Sequence, residues 1–252
     1  MNAKATKYLT PTDVVKREYS KARIVRSLLE KSIWPSEEIL ITRYFNKGES
    51  ILDIACGAGR IAVALALKGF EVTGIDFSKE MLDGARMRAE QNKANVTFLS
   101  MDANEMKFPD QSFHNVVFLY NAYELIWKES NRVKLLKEIY RIIKPGGHFI
   151  LTSRSSFAFY KRWLAWPWLL LRTYILKPLG IGNPHLELCD VFSKGTYHRY
   201  QSPFSIRKDL NDIGFLCKLF NSGCNLEANR EASFFTNFSS DKCLYFVVQK
   251  PF

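Results

Sequence analysis

The stretch Ile51-Leu52-Asp53-Ile54-Ala55-Cys56-Gly57-Ala58-Gly59 decides the fold of this chain. Its apolar residues Ile51, Leu52 and Ile54 are typical of a buried strand, and the glycines allow a tight turn before a helical run from 60 to 68. A turn with few side chains presents the unpaired amides at the start of a helix to a polar or anionic ligand. The stretch therefore predicts a strand, a turn and a helix, with a ligand at the turn.

Two kinds of ligand fit this turn. Gly57, Gly59 and Ala62 match the pattern G-x-G-x-x-[G/A], and Asp76 follows at the end of a second apolar strand. That pattern suits a dinucleotide or a nucleoside. Asp53 discriminates between them, because a carboxylate at the mouth of the turn repels a pyrophosphate and suits an ammonium group. S-adenosylmethionine carries an ammonium and a sulfonium, and it has no phosphate.

Further motifs follow the glycine turn in a fixed order. They are D-I-A-C-G-A-G at 53–59, V-T-G-I-D at 72–76 with F-S-K-E-M-L behind it, M-D-A at 101–103, and L-L-K-E-I-Y-R-I-I-K-P-G-G-H-F-I-L at 135–151. With these motifs the chain resembles the class I S-adenosylmethionine-dependent methyltransferases, in the small-molecule branch that includes quinone-biosynthesis enzymes. The resemblance is close over about 36–153 and loose in the C-terminal third.

The resemblance implies a fold and a cofactor. The expected fold is α/β and Rossmann-like, the class I methyltransferase fold, with a seven-stranded, mostly parallel sheet, an antiparallel last strand and a helical cap insertion. The expected cofactor is S-adenosylmethionine, which leaves as S-adenosylhomocysteine. We expect a single domain over 1–252, made of lid helices (1–34), a Rossmann-like core (36–153), an aromatic cap insertion (154–202), and a C-terminal helix and strand pair (203–252).

The cofactor site is predicted from the same motifs. Asp76 can accept hydrogen bonds from both ribose hydroxyls, and Asp102 can accept one from the adenine amine. The resemblance assigns these roles to the same two positions. The complete expected set of cofactor-binding residues is Asp53, Ala55, Gly57, Gly59, Asp76, Phe77, Met81, Asp102, Ala103 and Tyr120.

Acceptor residues are expected where the fourth strand, 114–120, ends, because open α/β sheets bind ligands outside the carboxyl ends of their strands. The expected substrate-contacting residues are Tyr19 as a lid residue, Asn121, Tyr123, Arg154 and Tyr197. Methyl transfer from a sulfonium is a direct displacement, and a hydroxyl acceptor would benefit from a general base. His198 and Tyr123 are the catalytic candidates, with His185 and Glu124 as further ones, whereas His114 and His148 are expected to be structural.

Composition narrows the class of protein. The chain has 252 residues with 47% hydrophobic and 24% charged residues, the composition of an ordinary globular protein. The first ten residues lack an apolar signal region, so a cytoplasmic protein is expected. Five cysteines without a C-x-x-C pair indicate reduced thiols, and no metal site is expected.

The general family does not explain the segment 154–202, although the resemblance implies that insertions after the fifth strand hold a substrate cap. Aromatic, leucine and basic residues crowd into its first half, and Pro167 is expected to divide a helix there into two pieces. Three interpretations stay open: a cap over a bulky apolar or aromatic acceptor, docking on a membrane surface through 157–178, or a packing or dimer interface. The oligomeric state is left open.

Other functions are weighed against a small-molecule methyltransferase. A nicotinamide-dependent oxidoreductase explains the glycines and Asp76 but leaves Asp53 and Asp102 unexplained. The net charge of +11 favours anionic partners, yet the basic residues are scattered and no RNA-binding signature is present, so nucleic acid is not expected. The remaining alternative is a methyltransferase-like partner subunit without catalysis.

Overall fold

Strands and helices alternate through most of the chain in this computed structural model, which describes residues 9–154, 166–193, 195–231 and 243–252. The strands are β1 (Ser50–Ile54), β2 (Glu71–Asp76), β3 (Val96–Ser100), β4 (Phe113–Phe118), β5 (Ile143–Ser153), β6 (Asp190–Ser193), β7 (Thr196–Arg199), β8 (Leu216–Ser222) and β9 (Leu244–Gln249). The helices are α1 (Pro11–Tyr19), α2 (Ala22–Leu29), α3 (Pro35–Tyr44), α4 (Arg60–Leu67), α5 (Lys79–Gln91), α6 (Glu129–Ile142), α7 (Trp166–Leu171), α8 (Pro203–Ile213) and α9 (Gly223–Glu227).

Seven of these strands form one sheet in the order β3-β2-β1-β4-β5-β9-β8. Strands β1 to β5 pair in parallel, and β9 runs antiparallel to both β5 and β8. The fold predicted from the sequence, a mostly parallel seven-stranded sheet with an antiparallel last strand, is confirmed. The division of the chain into functional parts at 34, 153 and 202 stays a prediction.

Helices cover both faces of the sheet, and successive residues of a strand point to opposite faces, so both sets of side chains are buried. Leu52 and Ile54 belong to the core that includes Leu135 and Ile139 of α6. Ile51 belongs to the other core, which contains residues of α3 and α4. This alternation explains why the first strand reads as a nearly continuous apolar run.

The run 11–34 is expected to form a helix or a pair of helices, and it forms two; α1 begins after Thr10, whose side chain accepts a hydrogen bond from Asp13 N. The sequence also predicts a fifth strand at 148–152, after a stop at Lys144-Pro145-Gly146-Gly147. Strand β5 instead begins at Ile143, because Ile143 pairs with Phe113 and the backbone of 146–147 bonds to Lys250, so these four residues belong to the strand.

The described part of the predicted insertion contains α7, a π-helical turn at Arg172–Leu176, and the β6–β7 hairpin. Pro167 is the second residue of α7 as described from Trp166 on, and the first predicted piece falls largely in 155–165, so the expectation that Pro167 divides two helices stays a prediction. Phe234, Phe235 and Phe238, which are expected to anchor the loop before the last strand onto the core, fall in 232–242; both ranges lie outside the described residues. Among the helices that are described, none is long and apolar enough to cross a membrane.

Candidate functional site

The turn after β1 is built from left-handed backbone. Ala55, Gly57 and Gly59 have φ of 52°, 53° and 74°, and Gly59 is the N-cap of α4. A Cβ on Gly59 would lie 3.0 Å from the Ala85 Cβ and 3.3 Å from the Phe98 ring, which leaves no room for a side chain. Gly59 therefore lets α5 and β3 approach the turn, and it does not itself line a cavity.

Asp76 ties this turn to the end of β2. Its Oδ2 accepts a hydrogen bond from Gly57 N at 3.0 Å, and its Oδ1 accepts one from Ser78 N at 2.9 Å. Burial raises the pKa of the carboxyl, although these backbone hydrogen bonds oppose the shift. Each carboxylate oxygen keeps further acceptor capacity, so the group can take two more donors from a ligand.

Asp53 is the most unusual titratable group of the turn. Its side chain is buried, and its Oδ2 has no hydrogen-bond partner among the described residues. Burial raises its pKa to about 8, with smaller contributions from Glu37 and Asp76, while Arg60 and a backbone hydrogen bond with Ala62 act in the opposite direction. A buried carboxyl with one oxygen unpaired can ionise when a cationic group arrives.

Two small cavities meet at this turn and share Ala55, Phe77, Ala122 and Leu125; we call them together the first cleft. One, of about 70 Å³, is lined by Tyr19, Leu28, Asp53, Ala55, Cys56, Gly57, Ala58, Arg60, Ile61, Asp76, Phe77, Leu119, Tyr120, Ala122 and Leu125. The other, of about 80 Å³, is lined by Thr12, Val15, Lys16, Ala55, Phe77, Asp102, Ala103, Asn104, Phe118, Ala122, Leu125, Ile126, Trp127 and Asn131. Each holds only about two to three waters, so a nucleoside fits only if the covering helices α1 and α2 shift.

Asp102 lies at the far end of the first cleft. Its Oδ1 accepts hydrogen bonds from Asn104 N at 2.9 Å and Asn104 Nδ2 at 3.1 Å. Its Oδ2 lies 3.6 Å from Lys16 Nζ, which reaches over from α1 and is 6.0 Å from the centre of the Phe77 ring. Asp102 can therefore offer an acceptor to a ligand whose flat part lies beside Phe77.

Trp34, Arg60 and Tyr120 form a cluster of two tilted rings and a guanidinium that we call the aromatic wall. The two rings are 5.3 Å apart, and the Arg60 guanidinium lies 5.2 Å from the Tyr120 ring and 5.3 Å from the Trp34 ring. Tyr120 and Asn121 have φ of 59° and 60°, an uncommon conformation for two consecutive non-glycine residues. Backbone strain of this kind is frequent at functional sites.

A second cavity of about 410 Å³ lies beyond the ends of β4 and β5 and the start of β9. Its lining consists of Trp34, Pro35, Ser36, Asn121, Arg154, Gly223, Glu227, Cys243 and Tyr245. Ser36 Oγ and the Tyr245 hydroxyl lie 2.9 Å apart, and burial raises the pKa of Cys243 to about 12, so these groups are uncharged. Because Trp34 lines this cavity and Tyr120 lines the first cleft, the aromatic wall stands between the two.

Arg154 connects the second cavity to a buried carboxylate. Its Nη2 donates to Glu124 Oε2 at 2.7 Å and also lies 3.0 Å from His198 Nδ1. A guanidinium has only donors, so Nδ1 is the acceptor, and the proton of a neutral His198 ring is on Nε2. Nδ1 therefore holds Arg154 in place and is not available to take a proton from a ligand.

Three predicted site residues are placed elsewhere. Tyr123 is completely buried against Phe118, with a ring-centre distance of 6.2 Å, and Tyr197 is buried with its hydroxyl donating to Asp190 at 2.9 Å. Met81 is a buried residue of α5. None of the three lines the first cleft or the second cavity, and their contact with ligands stays a prediction. In the turn after β4 it is Ala122, not Tyr123, that faces the first cleft.

The histidines other than His198 are in structural positions. Ser50 N donates to His114 Nδ1 at 3.0 Å, at the sheet edge opposite the glycine turn, and His148 packs on Tyr44 with ring centres 5.3 Å apart. His185 packs edge-on against Trp127, whose Nε1 donates to its carbonyl oxygen at 3.3 Å. Within the described ranges, no group of three or more His, Cys, Asp or Glu residues is arranged to hold a metal ion.

Several lining residues were missed by the sequence analysis. Arg60 directly follows Gly59, which was a signal that its side chain would lie at the turn. Cys243 and Tyr245 open β9, and an antiparallel strand begins at the edge where its parallel neighbours end, so topology alone pointed to them. Trp34 precedes the helix-starting Pro35, and nothing in the neighbouring sequence indicates its contact with Tyr120.

Residues 51–147 match the sequence model of a family described as "Methyltransferase domain". A demethylmenaquinone methyltransferase of Symbiobacterium thermophilum is 33% identical over 153 residues, which cover 57% of this chain and 57% of that protein. A ubiquinone biosynthesis O-methyltransferase of Coxiella burnetii is 32% identical over 115 residues, which cover 45% of this chain and 47% of that protein. The chain thus spans about half the length of the curated relatives it matches.

Among solved structures, the [4+2]-cyclase SpnF is similar over 96% of this chain and 97% of its own, with a TM-score of 0.66 and 15% sequence identity. At this identity the similarity concerns the fold alone. Since that protein is named as a cyclase, the fold accommodates more than one chemistry, and function must be argued from the site.

Proposed function

We propose that this chain, whose residues 51–147 match a methyltransferase-domain model, is a class I S-adenosylmethionine-dependent methyltransferase and that it transfers the methyl group to a small, apolar or aromatic acceptor. The observation that carries the proposal is the pair of carboxyl groups on the first cleft. Asp53 and Asp76 both line it, and neither has a cationic partner within ion-pair distance in the described residues. Such a cleft suits a ligand with an ammonium group and a ribose.

In this proposal different residues of the first cleft bind different parts of the cofactor. Asp76 holds the ribose hydroxyls, Asp53 faces the methionyl ammonium, and Asp102 accepts from the adenine amine beside the Phe77 ring. When bound, S-adenosylmethionine supplies an electrophilic methyl group. The task of the chain is then to hold it in line with the acceptor and to keep water out.

The same carboxyl groups argue against a dinucleotide. A pyrophosphate placed at the glycine turn would gain no counter-charge from Asp53 and would oppose its ionisation, whereas an ammonium group gains a counter-charge when Asp53 ionises. The oxidoreductase alternative is therefore disfavoured. The +11 charge supports an RNA acceptor only in general terms, since the charged residues lining the second cavity are one arginine and one glutamate.

We place the acceptor in the second cavity, next to Asn121 and Arg154. Its hydroxyl, thiol and amide groups beside Trp34, together with the guanidinium of Arg154, suit a flat molecule with hydrogen-bonding groups, such as a quinol. The names of the relatives, which refer to demethylmenaquinone and ubiquinone biosynthesis, support a quinone-like acceptor. The aromatic wall is then the boundary at which donor and acceptor meet, with Tyr19 on the cofactor side.

His198 has a positioning role in this scheme. Its Nδ1 accepts from Arg154, and the same guanidinium is neutralised by Glu124, so the three side chains hold one another. The acceptor then brings a nucleophile that is already reactive, such as a phenolate. A catalytic base at His198, the alternative from the sequence, predicts a strong loss of turnover with a matching change in the pH profile when the ring is removed.

The proposal is tested by incubating the protein with methyl-labelled S-adenosylmethionine and a set of demethylated quinols, followed by extraction into organic solvent. We expect label in a methylated quinol, and much less of it with Asp76→Asn at the same, subsaturating cofactor concentration. A matched control is Asp83→Asn, which removes an exposed carboxylate of α5. Label found only in RNA, or no label despite measurable cofactor binding, would overturn the proposal.

A further inference from the structure

The segment that follows the acceptor site exposes an apolar surface. Of the fifteen large apolar side chains that are exposed in the described residues, seven lie between Trp168 and Ile181. They include Tyr174 and Leu179, each 66% exposed. We call this surface, formed by the exposed apolar residues from Trp168 to Ile181, the apolar patch. Such a concentration is unusual on a protein surface, where exposed apolar residues are normally scattered.

The apolar patch is one face of a folded element. Trp168, Leu171, Tyr174 and Ile175 are spaced by three or four residues along α7 and the π-helical turn, so they share a side of the helix. Leu169 is buried on the other side. The apolar residues are therefore held outward by the fold.

The two cations of this element point inward. Arg172 Nη1 donates to the carbonyl oxygen of Asp190 at 2.8 Å, and Lys177 Nζ donates to that of Leu186 at 2.9 Å. Both anchor the element to the chain that leads into the β6–β7 hairpin. Since the anchoring uses the polar residues, the outward surface is left apolar.

The charge of the chain selects the partner. No Asp or Glu occurs between Trp166 and Leu186, and the whole chain carries +11. Two copies with this charge repel each other, which disfavours self-association through the patch. An anionic surface attracts this positively charged chain. Trp, Tyr and aliphatic side chains are also those that insert at a bilayer interface.

We propose that the apolar patch docks this protein on the surface of an anionic lipid bilayer. Trp168, Tyr174, Ile175 and Leu179 enter the boundary between headgroups and acyl chains, while the net positive charge supplies a longer-range attraction. The docking segment lies a short stretch of chain after Arg154, which lines the second cavity. Docking does not depend on the proposed methyl transfer, and its test needs neither cofactor nor acceptor.

The test is co-sedimentation of the full chain with vesicles of phosphatidylcholine alone or mixed with phosphatidylglycerol. We expect binding to the mixed vesicles, weaker binding to the neutral ones, and a decline of binding as salt screens the charge. A triple variant, Tyr174→Glu, Ile175→Glu and Leu179→Glu, should reduce partitioning by about tenfold or more, because binding scales with the apolar area that is inserted.

A matched control carries the same change of charge elsewhere. Leu67→Glu, Met87→Glu and Leu216→Glu replace exposed apolar residues of α4, α5 and β8, outside the patch. This control should keep most of the binding, and both triple variants should keep the circular dichroism spectrum and the thermal unfolding of the parent, which shows that they fold.

Three outcomes would overturn the proposal. The parent could fail to bind mixed vesicles, or both triple variants could lose binding equally. The parent could also sediment as a dimer that does not bind vesicles and that becomes a monomer in the patch variant, which would make the patch an interface between copies.

Discussion

Glu37 of α3 and Arg60 of α4 form a two-pronged ion pair, with Oε2 2.5 Å from Nη1 and Oε1 2.7 Å from Nη2. The side chains are 0% and 7% exposed. This pair fixes the guanidinium beside the two rings of the aromatic wall, so it links a helix outside the glycine turn to the boundary between the first cleft and the second cavity.

Breaking this pair should destabilise the protein strongly. Glu37→Gln leaves the Arg60 charge buried without a counter-charge, and we expect a loss of about 3–5 kcal/mol in the free energy of unfolding. Its neighbour provides a matched control, since Glu38 pairs with Lys68 at the surface and Glu38→Gln should cost at most about 1 kcal/mol. Urea unfolding followed by circular dichroism measures the free energy of unfolding of both variants. Equal, small losses in the two would mean that the buried pair stabilises the protein no more than the surface pair does.

Asp53 is predicted to lower the free energy of unfolding at pH 7 and to strengthen cofactor binding. Burial raises its folded pKa from an ordinary 3.8 to about 8, so between these values the unfolded chain releases the proton first and stability falls as the pH rises. Asp53→Asn should remove this pH dependence and raise the free energy of unfolding at pH 7 by about 1–4 kcal/mol, while weakening cofactor binding. Thermal and urea unfolding between pH 5 and 8 check the sign; a variant less stable than the parent at pH 7 would contradict it.

Asp76 is predicted to contribute to affinity. Asp76→Asn keeps an acceptor oxygen but loses the charge, and we expect cofactor binding to weaken by about 1–3 kcal/mol, the range for hydrogen bonds to charged groups. Calorimetric titration of S-adenosylhomocysteine into the parent, Asp76→Asn and Asp83→Asn measures it. Unchanged affinity in Asp76→Asn would remove this residue from the ribose site.

The Tyr120 ring is predicted to matter for turnover more than for folding. Tyr120→Gly loses the stacking on Trp34 but relieves the positive φ, two effects of about 1 kcal/mol each that offset one another. Stability should therefore change little, whereas turnover should drop and Tyr120→Phe should retain it. If Tyr120→Gly turned over as fast as the parent, the aromatic wall would not be where donor and acceptor meet.

The parts of the site that local sequence encodes were predictable. A strand, a glycine turn and a helix follow from apolar and glycine spacing over a few residues, and Asp76 follows from the end of the next strand. Side-chain direction after β4 was not predictable in this way. Because Tyr120 and Asn121 are left-handed, the alternation of the strand is lost, and Tyr123 turns into the core.

Contacts between distant residues were also out of reach of local patterns. The ring of Trp34 meets Tyr120 across 86 positions of sequence, and Glu37 meets Arg60 only after α3 packs beside the glycine turn. Tyr197 is expected from the sequence to contact the substrate, yet the β6–β7 hairpin directs its hydroxyl to Asp190. Such positions depend on how elements pack, which a single sequence does not specify.

The central claim is that the first cleft binds S-adenosylmethionine with Asp53 facing its ammonium group. The most direct test is calorimetric titration of S-adenosylmethionine at pH 7 in two buffers of different ionisation enthalpy, with NADH as the comparison ligand. Since the free Asp53 has a pKa of about 8 and an ammonium stabilises its ionised form, binding should release close to one proton, and Asp53→Asn should abolish the release. Binding of S-adenosylmethionine without proton release, or binding of NADH in its place, would contradict the account.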